Sequence, residues 1–119
     1  MNLVWYMKKI IGFIVLVSSL LLLAFQCDKG DDLVASCVQD KIAAFSTEAC
    51  PSGATVKSYN FQSNTVYVFD FGPCGADMAM PVLNNNCDTL GFLGGISGNT
   101  MINNQDFASA EFLQTIWFN

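Results

Sequence analysis

Thr65-Val66-Tyr67-Val68-Phe69-Asp70-Phe71 is the stretch on which the fold turns. β-Branched and aromatic residues fill it, which is the composition of a strand. Val66 and Val68 fall on one side of the pleat, and Tyr67, Phe69 and Phe71 on the other. A strand apolar on both sides belongs inside a sheet that is covered on each face. Gly72-Pro73 ends it. Upstream, residues 54–62 read as a second strand, with Ser63-Asn64 as the two-residue turn between the two.

Before this hairpin the pattern is helical. Val34, Val38, Ile42 and Phe45 recur at spacings of four, four and three, which marks one buried face. Ser36-Cys37-Val38-Gln39 has capping-box spacing and predicts a regular helix from about Cys37. Ser46-Thr47 and then Pro51-Ser52-Gly53 end it. After the hairpin, residues 79–83 suit a third strand, stopped by Asn84-Asn85-Asn86. Residues 90–96 are apolar but glycine-rich, Gly98-Asn99 turns, 106–111 suit one helical turn, and 112–118 read as a last strand. The expected class is α+β: one N-terminal helix packed on a small antiparallel β-meander, disulfide-stapled, in a single domain over 33–119.

Cysteines stand at 27, 37, 50, 74 and 87. The odd count is explained if Cys27 has a separate role, and the other four then allow three connectivities. With the turn at 63–64, paired positions sum to 127 and position 53 faces Cys74. Cys50 and Cys74 therefore share one end of the hairpin, and the helix runs toward that end. Cys37 starts the helix at the turn end, where an antiparallel third strand also finishes and brings in Cys87. The predicted bridges are Cys50–Cys74 and Cys37–Cys87. A Cys37–Cys50 bridge would have to span a helix about 15 Å long and double back. Cys74–Cys87 stays open if residues 75–86 form a loop.

Residues 1–26 have a basic start (Lys8, Lys9) and an apolar run from Ile10 to Phe25, the layout of a secretory signal peptide. The rival reading is a transmembrane helix, for which the run is short. Leu23-Ala24-Phe25-Gln26-Cys27 resembles the lipobox of bacterial lipoproteins. That resemblance implies a Cys27 that is lipidated and becomes the mature N-terminus, with acyl chains holding the protein on a bilayer. Residues 27–32 then form a lipidated acidic tether. Asp28-Lys29-Gly30-Asp31-Asp32 resembles the acidic signals that send some Gram-negative lipoproteins to the cell surface; in other bacteria an Asp after the cysteine retains them at the inner membrane. The expected location is the bacterial cell envelope, lipid-anchored at the outer membrane and facing either the periplasm or the surface.

From Cys27 onward, ten acidic residues stand against three lysines, a net charge of −7, with no arginine or histidine. Such a chain lacks the basic footprint that phosphate backbones require, so nucleic acid is not an expected partner. The domain itself is repelled by anionic lipid, so the expected link to the membrane is the lipid anchor alone.

Little in the chain suggests chemistry. Cys74-Gly75-Ala76-Asp77-Met78 holds potential metal ligands, but a disulfide followed by a polar turn explains it better, and no histidine is present to complete a common site. No metal, no cofactor and no catalytic residue is assigned. Gly91 to Asn99 is glycine-rich without the spacing of a phosphate-binding loop or a nucleophile elbow. It reads as a tight bend, with Gly94, Gly95, Ser97, Gly98 and Asn99 as a candidate ligand loop. Asp70 sits on the Val66–Val68 side of its strand, while Asp77, Asp88, Asp106 and Glu111 fall in loops; no spacing converges two of them for acid–base work.

From Cys37 onward the order of features resembles an uncharacterised family of small bacterial lipoproteins, a domain of unknown function. The residues that carry the resemblance are Cys37 to Ile42, Val66-Tyr67-Val68, Cys74 to Asp77, Asn86-Cys87, Gly94 to Gly98, Phe107 and Ile116-Trp117. The helix-then-meander order is also similar to PepSY and β-lactamase-inhibitor-like modules, some of which bind or inhibit proteins. The expected function is that of an envelope lipoprotein acting as a binding or structural module, with an envelope protein as partner. The alternatives are a small-molecule binder or enzyme using residues 91–99 and nearby carboxylates, and an inhibitor of an envelope enzyme.

Overall fold

A computed structural model describes residues 3–11 and 34–119. The apolar part of the expected signal, Cys27 and the tether 27–32 lie outside the described residues. The chain divides into two compact units, residues 1–32 and 33–119. In the first, residues 3–11 are helical, and the Lys9 ammonium stands 3.9 Å from the Trp5 ring centroid, one turn away. Among the described residues no helix is long and apolar enough to cross a membrane.

The second unit is α+β. It opens with helix α1 (Ser36–Glu48) and continues through β1 (Thr55–Phe61), β2 (Asn64–Asp70), β3 (Ala79–Asn84) and β4 (Thr89–Gly94). A short hairpin of β5 (Met101–Ile102) and β6 (Gln105–Asp106), a 3-10 turn (Phe107–Ser109) and β7 (Glu111–Phe118) complete it. The main sheet is antiparallel with strand order β4-β3-β2-β1-β7. It therefore departs from the expected simple meander. Four strands do meander, but the chain then crosses back and β7 pairs with β1 at the opposite edge. That return supplies hydrogen-bond partners for a β1 ladder that would otherwise be an open edge.

The β1–β2 turn is Gln62-Ser63, one residue earlier than Ser63-Asn64, and Thr55 pairs with Asp70. Both turn residues take positive φ, 51° and 62°, a backbone twist that matches the flanking strands. The paired positions now sum to 125, an even change from 127, so every side chain keeps its expected face. The helix start also differs: Ala35 is the N-cap and no side chain caps it. Instead of closing a capping box, Gln39 Nε2 donates to the Val34 carbonyl at 3.0 Å. Ser46 and Thr47 lie inside the helix, where each hydroxyl donates at 2.7 Å to the carbonyl three residues back.

β2 is buried on both faces, and each face has its own cover. On one side, Val38 and Phe45 of α1 pack on Val56, Tyr67, Phe69 and Leu83. Phe45 is the hub: its ring centroid lies 5.2 Å from Phe69, 4.8 Å from Phe71 and 5.7 Å from Trp117. On the other side, Ile102 and Phe107 from the crossing chain cover Phe61, Val66, Val68, Val82 and Leu93. Gly91 makes room for that cover, since a Cβ there would stand 2.9 Å from Ile102 Cδ1. Two register shifts against β1 leave Ile116 and Leu113 of β7 without a direct partner. At the first of these bulges the adjacent Ile116 and Trp117 both pack on the helix-side core, while Phe112 packs on Tyr59 across the opposite face.

Two disulfides, Cys37–Cys87 and Cys50–Cys74, have Cα separations of 6.1 and 5.6 Å. These are the linkages that the hairpin and helix directions predict. The first fastens the start of α1 to the β3–β4 turn, and the second ties the segment after α1 to the chain leaving β2. Asn119 closes the same end: its side chain accepts from Ala54 N–H at 3.0 Å and donates to the Cys50 carbonyl at 2.7 Å.

Three outcomes are expected. Non-reducing peptide mapping should recover these two linkages, and a 74–87 linkage would overturn the register argument. Phe45→Ala should cost about 3–5 kcal/mol in denaturant unfolding, because the cavity left is walled by other rings. Ser63→Gly should stabilise by roughly 0.5–1 kcal/mol, since glycine meets no steric penalty at positive φ.

Candidate functional site

The glycine-rich segment splits into two parts. Residues 89–94 are edge strand β4, and the turn proper follows. Gly94, Gly95 and Gly98 have φ of 71°, 70° and 61°, so the turn needs glycine for its backbone. Gly94 and Asn99 exchange both backbone hydrogen bonds, at 2.8 and 3.0 Å. The Asn99 amide then donates to the Phe92 carbonyl at 2.6 Å and the Met101 carbonyl at 2.9 Å, and accepts from Met101 N–H at 3.3 Å. Asn99 is thus occupied in holding the turn.

What the turn presents to solvent is apolar. Ile96 at its tip is 89 % exposed, and Phe92, which pairs with Pro81, is 54 % exposed. A shallow concavity of about 640 Å³ lies beside them, lined by Asp77, Ala79, Ser97 and Asn99 among others. On the same face of the sheet, a groove of about 270 Å³ runs between α1 and β3, over Phe45, Phe71 and Leu83, with Lys41 and Glu48 at its rim.

Of five carboxylates, Asp70, Asp77, Asp88, Asp106 and Glu111, Asp77 lines the concavity beside Phe92 and Ile96, and Asp106 lines another on the opposite side of the loop, beside Gly94, Gly98 and Asn99. Asp70 accepts from Gly72 N–H at 2.9 Å. Asp88 accepts from the Asn84 amide at 3.2 Å in the β3–β4 turn. Asp106 caps the 3-10 turn by accepting from Ala108 N–H at 2.9 Å, and Glu111 begins β7. Among the described residues no group of three or more Cys, Asp or Glu side chains could hold a metal.

Tyr59 has a shifted titration. Burial against Phe107 and Phe112, and secondly the Asp70 carboxylate, raise its pKa above the ordinary tyrosine value. The neutral phenol is therefore favoured in the folded state. Its contribution is present below the unfolded tyrosine pKa and is lost as pH rises through the folded one. Alkaline unfolding should be less pH-dependent in Tyr59→Phe, and a site-resolved NMR titration should show the Tyr59 phenol ionising earlier in Asp70→Asn.

A second concavity was not foreseen from the sequence. The β1–β2 turn, the β3–β4 turn and the β5–β6 turn meet at one end of the sheet and enclose about 270 Å³. Amide side chains form most of its polar lining: Gln62, Asn64, Asn84, Asn85, Asn86 and Asn103. In the sequence these residues read only as turn formers, in three places up to 41 positions apart. Their abundance was visible, but their convergence depends on the sheet.

Residues 43–119 match the family described as a domain of unknown function (DUF6970). No curated protein matches, and no solved structure matches, so the likeness to PepSY and β-lactamase-inhibitor-like modules finds no support there. The family match spans more than half of the chain, from within α1 through β7, and the chain belongs to the DUF6970 family.

Proposed function

We propose that this protein is a lipid-anchored binding module of a bacterial cell envelope, held by Cys27 and engaging a protein partner through the Phe92–Ile96 corner. The observation that carries the reading is Ile96, a large apolar side chain 89 % exposed on a turn that three positive-φ glycines permit and the Asn99 hydrogen bonds brace. A braced turn loses little entropy on binding, which favours it as an anchor point. Two disulfides suit an oxidising compartment outside the cytoplasm. The signal-like residues 1–26 and the Cys27 junction supply the route there, and the acidic tether suits an outer-membrane position facing periplasm or surface.

A photoreactive residue placed at position 96 of the full-length protein should give one discrete adduct in intact cells, and the same residue at Lys57 should not. Failure to cross-link from both 92 and 96 would remove the corner as the docking point. Mass spectrometry should find Cys27 acylated, and Cys27→Ser should release the protein from membranes; an unmodified Cys27 would remove the anchor. If the captured partner is a hydrolytic enzyme and its activity falls on binding, the module is an inhibitor.

The second reading, a small-molecule binder or enzyme at the same loop, rests on Asp77 lining the concavity beside Gly94, Gly95 and Ser97. It requires that Asp77→Asn abolish ligand binding or turnover while leaving the Ile96 adduct intact.

A further inference from the structure

We infer that the amide-lined cavity at the turn end of the sheet is a binding site for neutral carbohydrate, taking one sugar ring of an oligosaccharide. The inference stands on a different surface from the Phe92–Ile96 corner and does not depend on lipidation.

The chemistry of the lining selects the ligand class. None of the ten residues around the cavity is charged. An anionic ligand would find no cation there, and the chain's net charge of −5 would repel it. Four of the amides are engaged in the turns: Gln62 donates to Gln105 Oε1 at 3.2 Å, Asn103 donates to Gln62 Oε1 at 3.3 Å, Asn64 donates to the Gln62 carbonyl at 2.9 Å and Asn84 donates to Asp88. The Asn85 NH₂ and the Asn86 oxygen and NH₂ are left to meet sugar hydroxyls as donors and acceptor. Half-buried Leu90 offers an apolar contact for the C–H face of the ring, backed by the buried Phe61 and Val66, which are 2 % and 1 % exposed. A concavity of about 270 Å³ combining an apolar contact with a few convergent polar groups has the general form of a small-ligand site.

Turn chemistry accounts for only part of this amide content. Gln62 and Asn103 sit at φ of 51° and 48°, where polar turn residues are favoured. Asn84 folds its own turn, its side-chain oxygen accepting at 2.9 Å from the N–H groups of both Asn86 and Asp88. Asn85 and Asn86 have neither excuse. The Asn85 oxygen accepts from the Tyr67 hydroxyl at 2.9 Å, and Tyr67 is only 4 % exposed. A core tyrosine thus fixes the plane of that amide and leaves its NH₂ to donate elsewhere. The Asn86 side chain makes no hydrogen bond among the described residues. The next residue, Cys87, is bonded to Cys37, so the turn that carries both asparagines is fastened to α1. The geometry is set before a ligand arrives, which lowers the entropic cost of binding.

The test uses the full-length protein in a non-glycosidic detergent. It is screened against immobilised neutral oligosaccharides of glucose, galactose, mannose and N-acetylglucosamine, with sialylated and sulfated forms alongside. Binding to a neutral glycan is expected, with Asn86→Ala weakening it about tenfold, the loss of one or two hydrogen bonds to ligand. Asn86→Ala should leave the unfolding transition unchanged. Titrating the bound glycan into ¹⁵N-labelled protein should shift the side-chain amide signals of Asn85 and Asn86, a readout that holds even if Asn85→Ala fails to fold. Ile96→Asp should bind as the parent does. No neutral glycan bound at millimolar concentration, a preference for the anionic forms, or an affinity unchanged in Asn86→Ala with no amide shifts would each overturn the inference.

Discussion

The structure depends on the double burial of one strand. Val66 and Val68 face one way and Tyr67 and Phe69 the other, and all four are buried. A strand with two apolar faces must be covered twice, or it leaves a large apolar area in water at a cost of about 25 cal/mol per Å². Helix α1 provides one cover through Val38 and Phe45. The chain that crosses from β4 toward the far edge provides the other, through Ile102 and Phe107. The order of elements follows from that need. One helix precedes the hairpin, and a second covering segment has to come after the meander, because nothing else in the domain is free to lie on that face.

A domain of this size has little core to spare, and its covering elements are fastened covalently. Cys37 and Cys50 bracket α1 and reach Cys87 and Cys74 on either side of β3. Each bridge contributes about 2–4 kcal/mol by limiting the unfolded chain, a large share of the stability of a small domain. The consequence reaches the surface. The turn bearing Asn85 and Asn86, and the approach to Asp77, are each held close to a disulfide, so the two concavities have rigid walls on a small scaffold.

Function was less legible than fold. The sequence directed attention to Gly94–Asn99, where most of the polar capacity turned out to be spent on the turn itself, as the Asn99 contacts show. It gave no weight to Asn84-Asn85-Asn86, Asn103 and Gln62, because amides in turns are common and have a sufficient local reason. Two amides stand apart: Asn85 is oriented by Tyr67, and the Asn86 side chain makes no hydrogen bond among the described residues.

The amino-acid pattern alone determined the helix, the central hairpin, the third strand, the final strand, and which residues of the helix and of β2 face inward. These follow from local period and from burial, and neither depends on distant partners. The hairpin and helix directions also implied which cysteines could meet. The tertiary structure alone decided the β7–β1 pairing, the bulge that brings the adjacent Ile116 and Trp117 to one core, and the convergence of three amide turns. Pairing between β1 and β7 joins residues more than fifty positions apart, and no local signal specifies which free edge a last strand will take. That choice is made by the chain crossing the second face, since a strand leaving that cover at the β1 side meets the one ladder there without a partner.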